Sequence, residues 1–247
     1  MDKAWLNRSE LLIGEEGQHK LAEAAVCVIG LGGVGSYAAE ALVRAGIGSF
    51  ILIDFDTVGV TNLNRQVIAT TDSIGKTKIS AMQERILSIN PGAKIQTHQA
   101  FLDSENRAQL LEGADIYLDA IDSLGPKIGL LEYAIRTELK IISVMGAGNR
   151  LDPSQIRIAP MDKSHGCPLA KRVRKFLRRR GINAKIPCVY SSEKPLLPED
   201  EPAEDLQEIT LQRGRQRRSI GSISYMPAIM GMVAASWVIR TLLETEE

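Results

Sequence analysis

The segment from Val26 to Asp54 restricts this chain more than any other. A short all-apolar run, Val26 to Ile29, leads into Gly30-Leu31-Gly32-Gly33-Val34-Gly35. A helical stretch, Ser36 to Ala45, follows and is closed by Gly46. A second apolar run, Phe50 to Ile53, then ends at Asp54. Strands that are apolar throughout belong at the centre of a parallel sheet, covered on both faces. Gly32, Gly33 and Gly35 let backbone approach a phosphate, and the helix they open favours an anion at its N-terminus. An acid about 20 residues beyond such glycines is placed to bond ribose hydroxyls. By itself the loop fits a dinucleotide site, another nucleotide site, or a tight turn that binds nothing.

The alternation continues down the chain. Helices are expected over Leu6 to Ala24 (with Ser9 as N-cap), Ile74 to Leu87, Ser104 to Leu111 and Lys127 to Thr137. Strands are expected over Ile95 to Thr97, Ile116 to Ile121 and Ile141 to Met145. Strands alternating with helices make a doubly wound, Rossmann-like parallel sheet, so the fold class is α/β. After Asp152-Pro153 the rhythm changes. Gln155 to Ala159 and Ile186 to Tyr190 read as strands, and Pro168 to Arg180 as an amphipathic helix. Glu193 to Glu208 is acidic and broken by prolines, and an apolar helix follows from Tyr225. This half reads as an antiparallel C-terminal extension of the same domain. The expected organisation is one domain over 1–247, with an N-terminal helical arm (1–25) and a nucleotide-binding core (26–150). The extension (151–247) would carry substrate and dimer contacts and a mobile loop over 193–218.

Composition narrows the partners. Lysines plus arginines number 30, as do aspartates plus glutamates, so bulk charge selects no partner. The charge is segregated, however: Lys171 to Arg180 and Arg213 to Arg218 are basic, and Glu199 to Glu208 is acidic. Any nucleic-acid surface is therefore local. Cys27, Cys167 and Cys188 form no C-x-x-C pair, so no thiolate zinc site is expected. Their odd number, without a secretory leader, points to a reducing, cytoplasmic setting. Tyr225 to Leu243 is apolar but is interrupted by Pro227 and Arg240. It reads as a buried or dimer-facing helix, with membrane contact at most peripheral.

Three residues beyond Asp54 separate the nucleotide classes. Asn62, Arg65 and Lys78 add phosphate partners that a dehydrogenase, gripping its pyrophosphate mainly with glycines, does not need. Arginine holds two phosphate oxygens at once and lysine acts as a point charge. Together they suit a triphosphate whose charge must be neutralised during transfer. Taken singly, each reads equally as a solvated surface residue. Asp122 falls at the carboxyl end of a later strand, where a carboxylate can hold Mg²⁺ directly or through water. Asp119 on the same strand reads as a structural partner. His19, His98 and His165 are scattered and receive no role.

The order and spacing of these pieces carry a resemblance. Gly30-Leu31-Gly32-Gly33-Val34-Gly35, Asp54-Phe55-Asp56-Thr57-Val58, Asn62-Leu63-Asn64-Arg65-Gln66, Gly75-Lys76-Thr77-Lys78, Ile89-Asn90-Pro91 and Asp119-Ala120-Ile121-Asp122 resemble the adenylating domain of ubiquitin-activating-like enzymes. The resemblance implies ATP contacts at Gly33, Asp54, Asn62, Arg65 and Lys78, with Asp122 at magnesium. It further implies a homodimer in which Arg8 reaches the partner's phosphates, as an arginine finger does. The second half narrows the subfamily. Met145 to Pro153, Pro168-Leu169-Ala170, Cys188 to Glu193 and Gly221 to Ser224 resemble the tRNA threonylcarbamoyladenosine dehydratases. That family uses ATP to cyclise the threonylcarbamoyl group on an adenosine beside the anticodon. Adenylation turns a carboxylate into a mixed anhydride. The neighbouring ureido group then attacks within the same molecule, and no catalytic cysteine is required.

The implied partners are tRNA and a sulfur-relay protein, without DNA. Lys171, Arg174, Lys175, Arg178 and Arg179 are the candidate RNA contacts, against the alternative of a solubilising face or a salt-bridge partner for the Glu199 to Glu208 loop. Cys188 reads either as a buried strand residue or as a redox group. The competing functions are adenylation of a ubiquitin-like sulfur carrier, NAD-dependent oxidoreduction, and a catalytically silent scaffold. The missing zinc cysteines disfavour the first and the added phosphate partners the second. Retention of every charged ATP position disfavours the third.

Overall fold

The computed structural model describes residues 3–196 and 220–244. The acidic run from Glu199, Arg213 to Arg218 and most of the expected mobile loop lie outside those residues.

Among the described residues, seven strands make one sheet. They are β1 (Ala25–Ile29), β2 (Ser49–Ile53), β3 (Lys94–His98), β4 (Ile116–Asp119), β5 (Ile141–Val144), β6 (Ile156–Pro160) and β7 (Pro187–Ser191), in the order β3-β2-β1-β4-β5-β7-β6. Every pairing is parallel except that of β6 with β7. The C-terminal extension is thus only half antiparallel: β7 continues the parallel sheet beside β5, and β6 caps its edge. The chain winds outward from β1 to β3, then resumes on the other side at β4. That reversal opens a crevice at the carboxyl ends of β1 and β4, where ligands bind in such sheets.

Among the described residues, seven α-helices, α1 (Asn7–Glu23), α2 (Gly33–Ala45), α3 (Lys78–Ile89), α4 (Arg107–Leu110), α5 (Leu124–Arg136), α6 (Pro168–Arg179) and α7 (Tyr225–Leu243), accompany the strands. Successive strand residues point to opposite faces, and the core divides accordingly. Val26, Val28, Leu52, Leu118 and Ile142 pack with Leu42 of α2, Met82 of α3 and Met230 of α7. Cys27, Ile29, Ile51, Tyr117 and Ile141 pack with Leu130 and Leu131 of α5 and with Val173 and Leu177 of α6. Both faces of the central strands are therefore dry, as their apolar runs require.

Several boundaries differ from the sequence expectation, those of α1 and α3 for identifiable physical reasons. A 3₁₀ turn over Lys3–Leu6 precedes α1, so Ser9 lies inside the first helical turn and does not cap it. Gly14 breaks α1 with φ 72° and ψ 172°. The third helix begins at Lys78 rather than Ile74, because Gly75 takes φ 86° and the Thr77 hydroxyl caps by accepting the Ser80 N–H at 3.2 Å. That later start places Lys78 in the first turn.

The last helix is long and apolar enough to cross a membrane by length and composition. One of its faces is packed onto α2, burying Met226, Met230, Ala234 and Val238. At Gly231 a Cβ would overlap the Val34 carbonyl oxygen, so glycine is what lets the two helices approach.

A buried carboxylate joins α2 to α3. Glu40 accepts from Arg44 Nε at 2.8 Å and from Arg85 Nε and Nη2, each at 2.8 Å. Burial alone would raise the Glu40 pKa, but the hydrogen bonds from Arg85 and Arg44 outweigh it and hold the group below its usual value. A folded-state pKa below the unfolded one gives stability that is present above the unfolded value and is lost as pH falls through the folded value. Glu40→Gln is expected to lower unfolding free energy by about 2 kcal/mol at neutral pH. In denaturant titrations across pH, the gap to wild type should close below the ordinary carboxylate range.

Candidate nucleotide site

Three strand ends and the loop between β2 and α3 supply the site. The glycine loop leaves β1 with Gly30 at φ 89°, which favours glycine. At Gly35 a Cβ would overlap the Gly30 carbonyl oxygen, so the first turn of α2 can close over the loop only with hydrogen there. A Cβ on Gly32 would meet nothing within 4 Å, which leaves open space above the loop. At Gly33 a Cβ would approach the Arg65 carbonyl oxygen to 3.0 Å, so this glycine brings the loop against the arginine's segment.

Asp54 ties the loop to β2. It is buried, with Oδ2 accepting the Leu31 N–H at 2.6 Å and Oδ1 accepting the Asp56 N–H at 2.8 Å. Burial raises its pKa, opposed by the Lys78 charge and by those two N–H donors. Asn62 is buried and orders the following loop, its Oδ1 accepting the Gly59 N–H at 3.0 Å. Arg65 stands at the rim, with Nη1 donating to the Thr61 carbonyl at 2.7 Å and to Asn64 Oδ1 at 3.1 Å. Lys78 is nearly buried and its Nζ lies 2.7 Å from Asp56 Oδ2. Asp56 is a residue the sequence left without a role; an acid two positions past Asp54, facing a lysine at a helix start, was the available signal.

Across the switch point, Asp119 and Lys127 form an ion pair at 2.7 Å with both side chains at 0% exposure. Asp119 also accepts the Ser143 hydroxyl at 2.6 Å and the Ile121 N–H at 3.0 Å, and Lys127 donates to the Ile121 carbonyl at 2.8 Å. Asp119 is therefore structural, and its network fixes the turn that presents Asp122. Asp122 is exposed, with Ser123 Oγ donating to it at 3.1 Å. Gly30 links the two halves, since a Cβ there would meet the Ala120 carbonyl oxygen at 3.0 Å.

The residues fit a nucleoside triphosphate with its cation. An open glycine loop lies at a helix N-terminus, a buried carboxylate follows β2 beside it, and the cationic side chains of Arg65 and Lys78 lie on the segment after that strand. Exposed Asp122 has oxygen for a hard cation. The Gln66 side-chain oxygen beside Arg65 is buried without a partner among the described residues.

Arg8 lies elsewhere. It is exposed in the first turn of α1. Nearby Leu6 packs at the Gly46 end of α2, where a Cβ on Gly46 would lie 3.3 Å from the leucine. A helix of α2's length spans about 20 Å, so Arg8 sits at the end of α2 remote from its own glycine loop. The basic helix α6 is also more mixed than its composition. Lys171, Lys175, Arg178 and Arg179 are exposed, with Arg179 over the Phe176 ring at 5.8 Å. Arg174 instead turns inward and donates to the Ser164 carbonyl at 2.7 Å and to the Ser164 hydroxyl. Arg180 pairs with Glu132 of α5.

Comparison with known proteins gives consistent matches. The ThiF family model matches residues 6–247. A Bacillus subtilis tRNA threonylcarbamoyladenosine dehydratase is 35% identical, the match covering 98% of this chain and 95% of the relative. The E. coli tRNA N6-threonylcarbamoyladenosine dehydratase, solved in complex with ATP, superposes with a TM-score of 0.85 at 34% identity, over 96% of this chain and 93% of that one. A Thermus thermophilus sulfur carrier protein adenylyltransferase is 38% identical, but over only 45% of this chain and 41% of the relative.

Cysteine chemistry finds no support in this arrangement. Cys188 lies on β7 at 0% exposure, and burial, with Cys167 nearby, pushes its pKa up to about 12. Cys27 is raised by burial as well. A buried thiol with such a pKa is neither nucleophilic nor readily oxidised near neutrality. The native protein at pH 8 is expected to leave Cys188 unalkylated by iodoacetamide, read by peptide mass spectrometry. Cys188→Ala should retain turnover within about threefold, the loss set by packing rather than chemistry.

Proposed function

The chain belongs to the ThiF family, and from that membership we propose that it is an ATP-dependent tRNA threonylcarbamoyladenosine dehydratase, cyclising the threonylcarbamoyl group of the tRNA adenosine. The observation that carries this reading is coverage: the likeness to the dehydratases runs through both halves of the chain, including the extension from β6 to α7. The likeness to a sulfur-carrier activator covers less than half of it.

The geometry above supports the following roles. Gly32, Gly33 and Gly35 admit the phosphates against backbone and the N-terminus of α2. Asp54 receives the ribose hydroxyls with lone pairs left over from its two N–H bonds. Asn62 holds the loop that carries Arg65, and Arg65 and Lys78 neutralise the triphosphate. Asp56 restrains Lys78 until phosphate oxygens compete for its ammonium. A magnesium ion held at Asp122 would supply further charge neutralisation on the phosphates. The threonyl carboxylate oxygen bonds to the α-phosphorus while the bond to pyrophosphate breaks. The ureido group of the same side chain then attacks the activated carbonyl, AMP leaves and a proton is lost. Net loss of water from the substrate is matched by conversion of ATP to AMP and pyrophosphate. The chain's part is to position and to neutralise, which needs no covalent enzyme intermediate.

The exposed cations of α6 support a tRNA backbone contact: Lys171, Lys175, Arg178 and Arg179 form a stripe with no ion pair among the described residues, beside the structural Arg174. Arg8, remote from its own glycine loop, acts in a homodimer by reaching the partner's site. Three unpaired, buried cysteines support a cytoplasmic setting.

The direct test is nucleoside analysis after incubation of the purified protein with ATP, Mg²⁺ and threonylcarbamoylated tRNA. The cyclic nucleoside should form, and Asp122→Ala, Arg65→Ala or Lys78→Ala should each slow it roughly a hundredfold. Lys175→Glu with Arg178→Glu should weaken tRNA binding and flatten its salt dependence, leaving ATP affinity intact. Pyrophosphate exchange that responds only to a carrier protein's Gly-Gly tail would sink the proposal.

A further inference from the structure

We infer that Asn149 is a positioning residue for ATP activation, acting through Gly221, Ser222 and Asn64 on the guanidinium of Arg65. The inference rests on the reading that Arg65 grips the phosphates. It adds a residue on the opposite side of the crevice, in the loop after β5, that sets how this grip is aimed.

Asn149 adopts φ 57°, a left-handed conformation that among the described non-glycine residues only Glu138 shares. Asparagine tolerates that region better than most residues, because its short side chain can bond locally. Here the side chain bonds across to another segment. The Asn149 N–H donates to the Gly221 carbonyl at 2.8 Å, and its Oδ1 accepts the Gly221 N–H at 2.7 Å. Both backbone groups of one residue are thereby clasped by one asparagine. The Asn149 carbonyl accepts the Leu196 N–H at 2.7 Å. A Cβ on Gly148 would overlap the Ile220 side chain, and one on Gly221 would come within 3.0 Å of Asn149 Oδ1, so both glycines serve the approach.

The clasp is braced from the sheet side. Arg150, at 3% exposure, donates from Nη1 to the Gly146 carbonyl at 2.6 Å and from Nε to the Glu193 carbonyl at 3.3 Å. The Glu193 carboxylate accepts the Leu151 N–H at 3.1 Å and the Asp152 N–H at 3.0 Å. The loop that holds Asn149 is thus fixed at both its ends.

The clasp reaches the phosphate side one residue further on. The Ser222 carbonyl accepts Asn64 Nδ2 at 3.1 Å, and Asn64 Oδ1 accepts Arg65 Nη1 at 3.1 Å. The amide of Asn64 therefore spends its donor on the clasped segment and its acceptor on the arginine. Anchoring the donor end fixes which way the acceptor end faces. An arginine whose rotamer is already set loses less side-chain freedom on gripping a phosphate. Asn64 is itself exposed, so its orientation depends on this anchor rather than on packing.

The test compares Asn149→Gly, Asn149→Asp, Asn64→Ala, the Asn149→Gly/Asn64→Ala double variant and Arg65→Ala in the full chain. ATP affinity is measured by calorimetry without tRNA, alongside KM and kcat for ATP and the thermal unfolding midpoint. Asn149→Gly keeps the left-handed backbone and loses the Oδ1 clasp; it should weaken ATP binding about fivefold, the scale of one hydrogen bond. Asn149→Asp keeps the acceptor and should stay within about twofold of wild type. Asn64→Ala should match Asn149→Gly, and the double variant should be no worse than either single, because both break one chain of contacts. Additive losses, or a lowered unfolding midpoint with unchanged ATP affinity in Asn149→Gly, would overturn the inference. If Arg65→Ala weakens ATP while Asn149→Gly does not, the inference alone fails. If Arg65→Ala leaves ATP affinity unchanged, the reading of Arg65 fails and the inference with it.

Discussion

The hydrogen bond from the Leu31 N–H to Asp54 Oδ2, at 2.6 Å, is the constraint on which the rest of the site depends. It joins the glycine loop after β1 to the end of β2. The carboxylate that makes it is buried, and burial drives its pKa upward. Such a charge is costly unless donors surround it. Leu31 and Asp56 supply two, and Lys78 supplies a compensating positive charge. Each helper then acquires a fixed place. Leu31 holds the loop open beneath the space above Gly32, and Asp56 is turned to meet Lys78. A group that would serve ribose thus also sets the position of a lysine suited to phosphates.

The other side of the crevice solves the same problem differently. Asp119 and Lys127 are wholly buried, and each is satisfied by further bonds to Ser143, Ile121 and each other. A buried pair of this kind contributes little net stability compared with apolar packing. Its value lies in direction: β4 must end, turn and start α5 with Ile121 held from both sides. Asp122, next in sequence, is then delivered to solvent at the switch point. One carboxylate is sacrificed to structure so that its neighbour stays available.

The glycine loop, Asp54 and the alternating core were legible because each follows from a local requirement. Glycine is needed where backbone meets backbone at Gly30 and Gly35, and all-apolar strands can only be central. The start of α3 was not legible from periodicity, because the apolar pattern from Ile74 runs through Gly75, whose positive φ and the Thr77 cap delay the helix. Nor could composition resolve α6: seven basic residues from Lys171 to Arg180 look alike in sequence, yet Arg174 is held at Ser164 and Arg180 is paired with Glu132. Those assignments depend on tertiary neighbours. The parallel placement of β7 beside β5 was hidden for the same reason, since strand direction is set by the crossover through α6 rather than by the strand's own residues.

The two halves of the chain meet at the crevice. Residues that would meet the nucleotide come from β1 to α5. Residues facing it from the other side come from the loop after β5, the end of β7 and the segment before α7. These later segments hold one another through Asn149, Arg150 and Glu193, and they touch the first half of the chain through Ser222 and Asn64. A carboxylate on a folded RNA needs a basic approach surface, and α6, sitting between β6 and β7, is carried by those same later segments.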